Sequence, residues 1–284
     1  MSTSFTSSSD GTRIAFTSGG DASRPSVLLI HGWSQQLMCW QPLLEKLQDR
    51  FHIVAMDLRG HGASDKPESE SAYTDTNLWA DDVKAVIDAT DLATPVLVGW
   101  SYGARVIAAY LAVKGDADLA GIVLAGGVLA IGAERESWMV GTASPGLDRD
   151  LYTDDVPRRL AATARFVDAC TARPLDRTTY AELVGANMLC PAHVRRALFA
   201  ANVDLRPVFE KLSCPGLVIH GTRDDVVTAL AGQAAAHCMK NGQYVPYEGI
   251  GHAPFLETPD RFAEDLSQFT IACQQRGQQR IRIR

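Results

Sequence analysis

No apolar run in this sequence approaches the ~20 residues that a membrane-spanning helix needs, so no transmembrane segment is expected. The amino terminus, MSTSFTSSSDGTR, lacks the apolar stretch of a secretory signal. Cysteine is sparse and scattered, at 39, 170, 190, 214, 238 and 273, with no Cys-x-x-Cys pair and no zinc-ligand spacing. Cysteines so dispersed in a chain of this size are expected to be packed, reduced thiols of a cytoplasmic protein, with no bound metal. Positive charge is also short. The 27 Lys and Arg are outnumbered by 33 Asp and Glu, and the net charge of −6 argues against the clustered basic surface that nucleic acid requires. No internal repeat is found.

What the chain does have is enough apolar material for a large core: 46% of its 284 residues are hydrophobic, fitting one large α/β domain or a core plus a lid. Residues 1–12 read as a polar, poorly ordered start, and Arg13–Thr17 as a short strand. Val27-Leu28-Leu29-Ile30 is a continuous apolar run, as expected of a strand covered on both faces, and Phe51–Met56, Val96-Leu97-Val98 and Gly121–Gly126 read as further buried strands. Between them lie helical patterns. One opens at Pro42, a second runs from about Asp75 to Asp91, and a third follows residue 103. This alternation implies a parallel sheet with right-handed crossovers. It breaks at about 128. Residues 128–212 carry helical segments at Val156–Ala172, Thr178–Leu189 and Pro191–Ala201 and little strand signal, and are expected to form a lid inserted into a core of 1–127 and 213–284. The sheet resumes at Gly216–His220 and ends at Gln243–Tyr247. Thr258 is expected to cap, and Pro259 to open, a final helix whose polar tail, Gln274–Arg284, reads as solvated.

Gly99-Trp100-Ser101-Tyr102-Gly103 stands where a buried strand meets an Ala-rich helix. Strand, sharp turn, helix is the context in which Gly-x-Ser-x-Gly presents an exposed hydroxyl at the carboxyl edge of a sheet. A serine hydroxyl is a weak nucleophile and needs a base and an orienting acid. Asp224 follows a later strand and His252 the last one, both in Gly-containing turns. The order Ser101, Asp224, His252 fits a triad in which the imidazole takes the hydroxyl proton and the carboxylate fixes its tautomer. Asp225 is the adjacent alternative acid. His31, His61 and His220 also end strands or sit in Gly turns and read as loop organisers, whereas His193 and His237 fall on helices. An oxyanion intermediate needs donors. The backbone N–H groups of Tyr102, after the nucleophile, and of Trp33, after His31-Gly32, are the candidates. Trp138, Met139, Phe166, Met188 and Phe199 in the lid are candidates for an apolar acyl cavity.

These pieces together resemble the α/β-hydrolase superfamily over nearly the whole chain: HGW at 31–33, DLRGHGAS at 57–64, GWSYG at 99–103, HGTRDDVV at 220–227 and GIGH at 249–252. Within it they look most like the cofactor-free haloperoxidase (perhydrolase) and arylesterase group, and next like enol-lactone and C–C bond hydrolases. The resemblance implies a mostly parallel eight-stranded sheet with flanking helices and an inserted helical lid. It also implies Ser101, Asp224 and His252 as triad, Trp33 and Tyr102 as oxyanion donors, Asp57 and Arg59 as braces of their turn, and no cofactor. Ala104 stands where many members have a second glycine, and Ser34 where several perhydrolase-type members carry proline. The reaction expected is hydrolysis of a small-molecule carboxylic ester through an acyl-enzyme. Perhydrolysis, lactone opening or C–C cleavage at the same site is the alternative, and a non-catalytic receptor the remote one. No nucleic-acid or membrane partner is expected, and a homo-oligomer is left open.

Overall fold

A computed structural model describes residues 2–282, with side-chain surroundings through residue 276. Eight strands form one sheet: β1 (Ser4–Ser7), β2 (Arg13–Gly19), β3 (Ser26–Ile30), β4 (His52–Met56), β5 (Val96–Trp100), β6 (Gly121–Ala125), β7 (Gly216–Gly221) and β8 (Gly242–Tyr247). Their spatial order is β1-β2-β4-β3-β5-β6-β7-β8. The β1–β2 and β2–β4 pairs are antiparallel and the remaining five are parallel.

Helices α1 (Gln41–Leu47), α2 (Thr76–Ala89) and α3 (Gly103–Lys114) follow β3, β4 and β5. The first two begin where the sequence supplies a start. Proline lies in the first turn of α1, and the Asp75 side chain accepts the Asn77 N–H at the head of α2. Between β6 and β7 the chain forms α4 (Val156–Ala169), α5 (Arg177–Leu189), α6 (Ala192–Ala197) and several short turns. It also makes a small ribbon pairing Ala130-Ile131 with Val203-Asp204, which the sequence did not suggest. Helices α7 (Ala229–Cys238) and α8 (Pro259–Arg282) follow β7 and β8.

The two-residue period of the strands divides the core. Leu28, Ile30, Val54, Leu97, Ile122 and Leu124 point to one face, where Trp79 and Val83 of α2 and Val106 and Ile107 of α3 cover them. Val27, Leu29, Ile53, Val96, Val98 and Val123 point to the other, against Leu43 and Leu47 of α1 and Phe262 and Leu266 of α8.

Three local expectations are corrected. Residues 4–7 are not an unstructured start: they form β1, whose backbone pairs with β2 although Ser-Phe-Thr-Ser carries little hydrophobic signal. The helix expected over Pro191–Ala201 is shorter, Ala192–Ala197. Thr258 sends its hydroxyl back to the Pro254 carbonyl at 2.9 Å. All six cysteines are free. No helix among the described residues is long and apolar enough to cross a membrane. The tail expected to be solvated lies outside the described side chains from residue 277 onward.

Candidate active site

The turn after β5 is strained and closely packed. Ser101 has φ +54°, a left-handed conformation that costs a non-glycine residue on the order of 1–3 kcal/mol. Two glycines make it possible. A Cβ at Gly99 would lie 2.7 Å from the Gly103 carbonyl carbon, and one at Gly103 would lie 2.6 Å from the Ile30 carbonyl oxygen. The Ser101 N–H donates to the Ala125 carbonyl at 2.9 Å, tying the turn to the end of β6.

Asp224 is on the turn after β7. Its Oδ1 accepts the N–H groups of Val226 and Val227, at 2.8 and 2.9 Å. Its Oδ2 is 2.8 Å from Nδ1 of His252, which lies in the loop after β8. A carboxylate can only accept, so Nδ1 carries the proton. Nε2 of His252 is buried and has no protein partner, including the Ser101 hydroxyl, among the described residues. The Trp100 indole donates to the His252 carbonyl at 2.9 Å, which fixes the histidine loop against the residue before Ser101. Asp225, the alternative acid, is exposed. A second imidazole is present: Nε2 of His220 is 3.0 Å from Asp224 Oδ2 and 3.0 Å from the Val227 carbonyl. Burial would raise the Asp224 carboxyl, but the charge of His252 and hydrogen bonds from His220 and His252 outweigh it and hold it well below the usual carboxylate range.

The loop after β3 lies against the serine, since a Cβ at Gly32 would be 3.0 Å from the Ser101 Cβ. The backbone N–H groups of Trp33 and Tyr102 donate to no protein acceptor among the described residues. Two buried histidines hold this loop. His31 Nδ1 donates to the Gly32 carbonyl at 2.8 Å, and its Nε2 accepts the Leu58 N–H at 3.1 Å. His61 Nδ1 donates to the Arg59 carbonyl at 2.9 Å, and its Nε2 accepts the Ser34 N–H at 3.1 Å. Each ring is thus in its neutral form, and burial pushes His31 down to about 4 and His61 well below the ordinary histidine range. Asp57 accepts from Leu37 and Ala63, and Arg59 makes a two-pronged pair with Asp82 at 2.7 Å on each prong.

A cleft opens at Ser101. Of the five lid residues expected to line it, Met139 and Phe199 do. Trp138, Phe166 and Met188 do not: Phe166 instead packs its edge on Trp33, with ring centroids 5.3 Å apart. The wall is completed by residues the sequence reading missed, Leu129 after β6, Val226 and Val227 after Asp224, and Arg135. The valines could have been found from their place beside the acid. Arg135 carries no motif, and its position depends on how the insertion folds back.

A sequence profile of the alpha/beta hydrolase family matches residues 27–265, which take in the serine turn and the histidine loop. The chain belongs to the alpha/beta hydrolase family. Among solved structures, this hydrolase is similar to the esterase RhEst1 from Rhodococcus sp. ECU1013, with 35% identity and a TM-score of 0.91 over 96% of this chain and 100% of that one. The non-heme chloroperoxidase of Streptomyces lividans is 29% identical, covering 92% of this chain and 97% of its own. The bifunctional esterase/perhydrolase DCH of Acinetobacter calcoaceticus is 26% identical, covering 93% and 98%. The likeness to haloperoxidases and esterases read from the motifs is therefore also the likeness the relatives show, and it supports ester hydrolysis in general.

Proposed function

We propose that this hydrolase cleaves carboxylic esters of small or medium acyl groups through an acyl-enzyme on Ser101. The observation that carries the reading is the 2.8 Å contact from Asp224 to His252 Nδ1, which places the lone pair of the neutral ring on Nε2, in a loop fastened by the Trp100 indole next to Ser101. In this mechanism Nε2 takes the Ser101 proton as Oγ bonds to the carbonyl carbon. The oxyanion is met by the N–H groups of Trp33 and Tyr102, the second at the head of α3, where the helix dipole adds to the attraction. Protonated His252 passes its proton to the departing alcohol, and the same imidazole then activates water to release the acid. Asp224 holds the imidazole in the required tautomer and stabilises its cationic form. Residues 128–212 act as the lid over this chemistry, since Met139 and Phe199 from that segment wall the cleft.

The test is hydrolysis of p-nitrophenyl acetate by wild type and Ser101→Ala. The substitution is expected to lower kcat by about 10⁴–10⁶ with the fold retained. Full ester hydrolysis by Ser101→Ala would overturn the assignment. Peracid formation, measured in the same assay with hydrogen peroxide as acceptor, separates hydrolysis from perhydrolysis at the same serine.

A further inference from the structure

We propose that Arg135 is an anion-recognising residue of the cleft, and that the substrates this hydrolase prefers are esters carrying a carboxylate a short chain away from the scissile carbonyl. The inference rests on the proposed ester hydrolysis and deepens it to a substrate class.

Arg135 lines the same cleft as Ser101, and among the described residues lining it no other side chain is charged. The remaining wall is mostly apolar, with Ser101, Tyr102, Ser144 and the Trp33 indole N–H as the other polar groups, none of them charged, and the Tyr102 hydroxyl is already committed to the Leu198 carbonyl at 2.8 Å. The guanidinium is under-used. Among the described residues no carboxylate lies within ion-pair distance of it, its Nη1 reaches Ser144 Oγ only at 3.4 Å, and its Nε is buried without a partner. The acids around it are engaged elsewhere or face water. Glu136 is held by Arg206 and Trp138, Asp148 is held by Arg165, and Glu134 is exposed.

The arginine is nevertheless placed. Its guanidinium lies over the Phe199 ring, 5.4 Å from the centroid, and the backbone at Gly146 comes so close that a Cβ there would stand 2.5 Å from Nη2. A half-buried cation in an apolar wall, with an empty donor and no acid, is poorly compensated alone. A planar fork of donors suits a carboxylate that arrives with the substrate. The reaction is unchanged in kind. Ser101 Oγ bonds to the carbonyl carbon, the bond from that carbon to the alcohol oxygen breaks, and the alcohol leaves with the serine proton. Water then cleaves the acyl–serine ester, giving a second carboxylate.

The experiment compares methyl hydrogen glutarate with the neutral methyl pentanoate, and 3-acetoxypropanoate with the neutral butyl acetate, so that a carboxylate on the acyl side is told from one on the alcohol side. Wild type is expected to favour the anionic member of at least one pair. Arg135→Met and Arg135→Gln are expected to lower that anionic-to-neutral ratio of kcat/KM about 10- to 100-fold, through KM, the range of one charge-assisted hydrogen-bonded contact. Arg135→Lys should fall between. A wild-type enzyme favouring the neutral member of both pairs, or a ratio the three variants leave unchanged, would overturn the proposal. Calorimetric binding of glutarate to Ser101→Ala, with and without Arg135→Met, reads charge recognition without turnover. Loss of the binding heat in the double variant supports it, and equal heats overturn it. Absence of any Ser101-dependent ester turnover would instead refute the ester reading, which keeps the two failures distinct.

Discussion

Asp224 uses its two carboxylate oxygens differently. Oδ1 is fixed by two backbone N–H groups, and Oδ2 faces the imidazoles of His252 and His220. Asp224→Asn would keep the shape but present an amide where His252 now donates, favouring the wrong tautomer. A fall in kcat of about 10⁴ with the fold intact is expected in the p-nitrophenyl acetate assay, and a loss under tenfold would contradict the role given to this side chain. Ser101, Asp224 and His252 stand out in the sequence as triad candidates because each follows a segment that reads as a strand and comes in the order the chemistry expects. Asp224 and Asp225 could not be separated by that means. They are neighbours, and the backbone turn alone decides that one is buried against His252 and the other faces water. Arg135 was invisible for a related reason: nothing near it in sequence says that its loop folds back to the cleft.

At the scale of elements, β3 to β6 were legible because strands buried on both faces are almost wholly apolar, with polar Ser26 and His52 only at their first positions. The β1 edge was not. β1 is held by ladder hydrogen bonds to β2, and its side chains are largely exposed, so selection for apolar residues is relaxed there. β8, at the other edge, is read from the sequence at Gln243–Tyr247, and it tolerates Pro246 because an edge strand has no neighbour on one side to need that N–H. The DLRGHGAS loop is fastened to α2 by the Arg59–Asp82 pair, with both side chains fully buried and Asp10 as a further, partly exposed partner. Removing one member of such a pair leaves the other charge in a dry site. Asp82→Ala is therefore expected to lower the unfolding free energy by about 3 kcal/mol, read from urea midpoints at constant slope. A loss below about 1 kcal/mol would show that Asp10 and nearby carbonyls suffice to hold the guanidinium.

The whole molecule brings three loops, from β5, β7 and β8, to one edge of a single sheet, where open α/β sheets assemble their sites. The two neutral histidines beneath that edge give the fold a pH signature. In the unfolded chain each binds a proton near pH 6.5, whereas folded His31 does so only at about 4 and folded His61 only well below the ordinary range. Their contribution is fully present above pH 6.5 and is lost as the pH falls toward the folded values, at about 1.4 kcal/mol per pH unit for each ring. Asp57 and Asp82, raised by burial, act in the opposite sense at lower pH, so the comparison belongs between pH 7 and 5.5. Unfolding free energy should drop by about 2 kcal/mol over that interval, and a flat profile would contradict the neutral assignment. The proposed chemistry turns on Ser101 being the nucleophile that the imidazole activates. Its most direct test is intact-mass spectrometry after exposure to a fluorophosphonate, with peptide mapping of the adduct. One adduct located on Ser101 in the wild type, and none in Ser101→Ala or His252→Ala, is the result expected. An unlabelled wild type, or labelling that persists in Ser101→Ala, would contradict it.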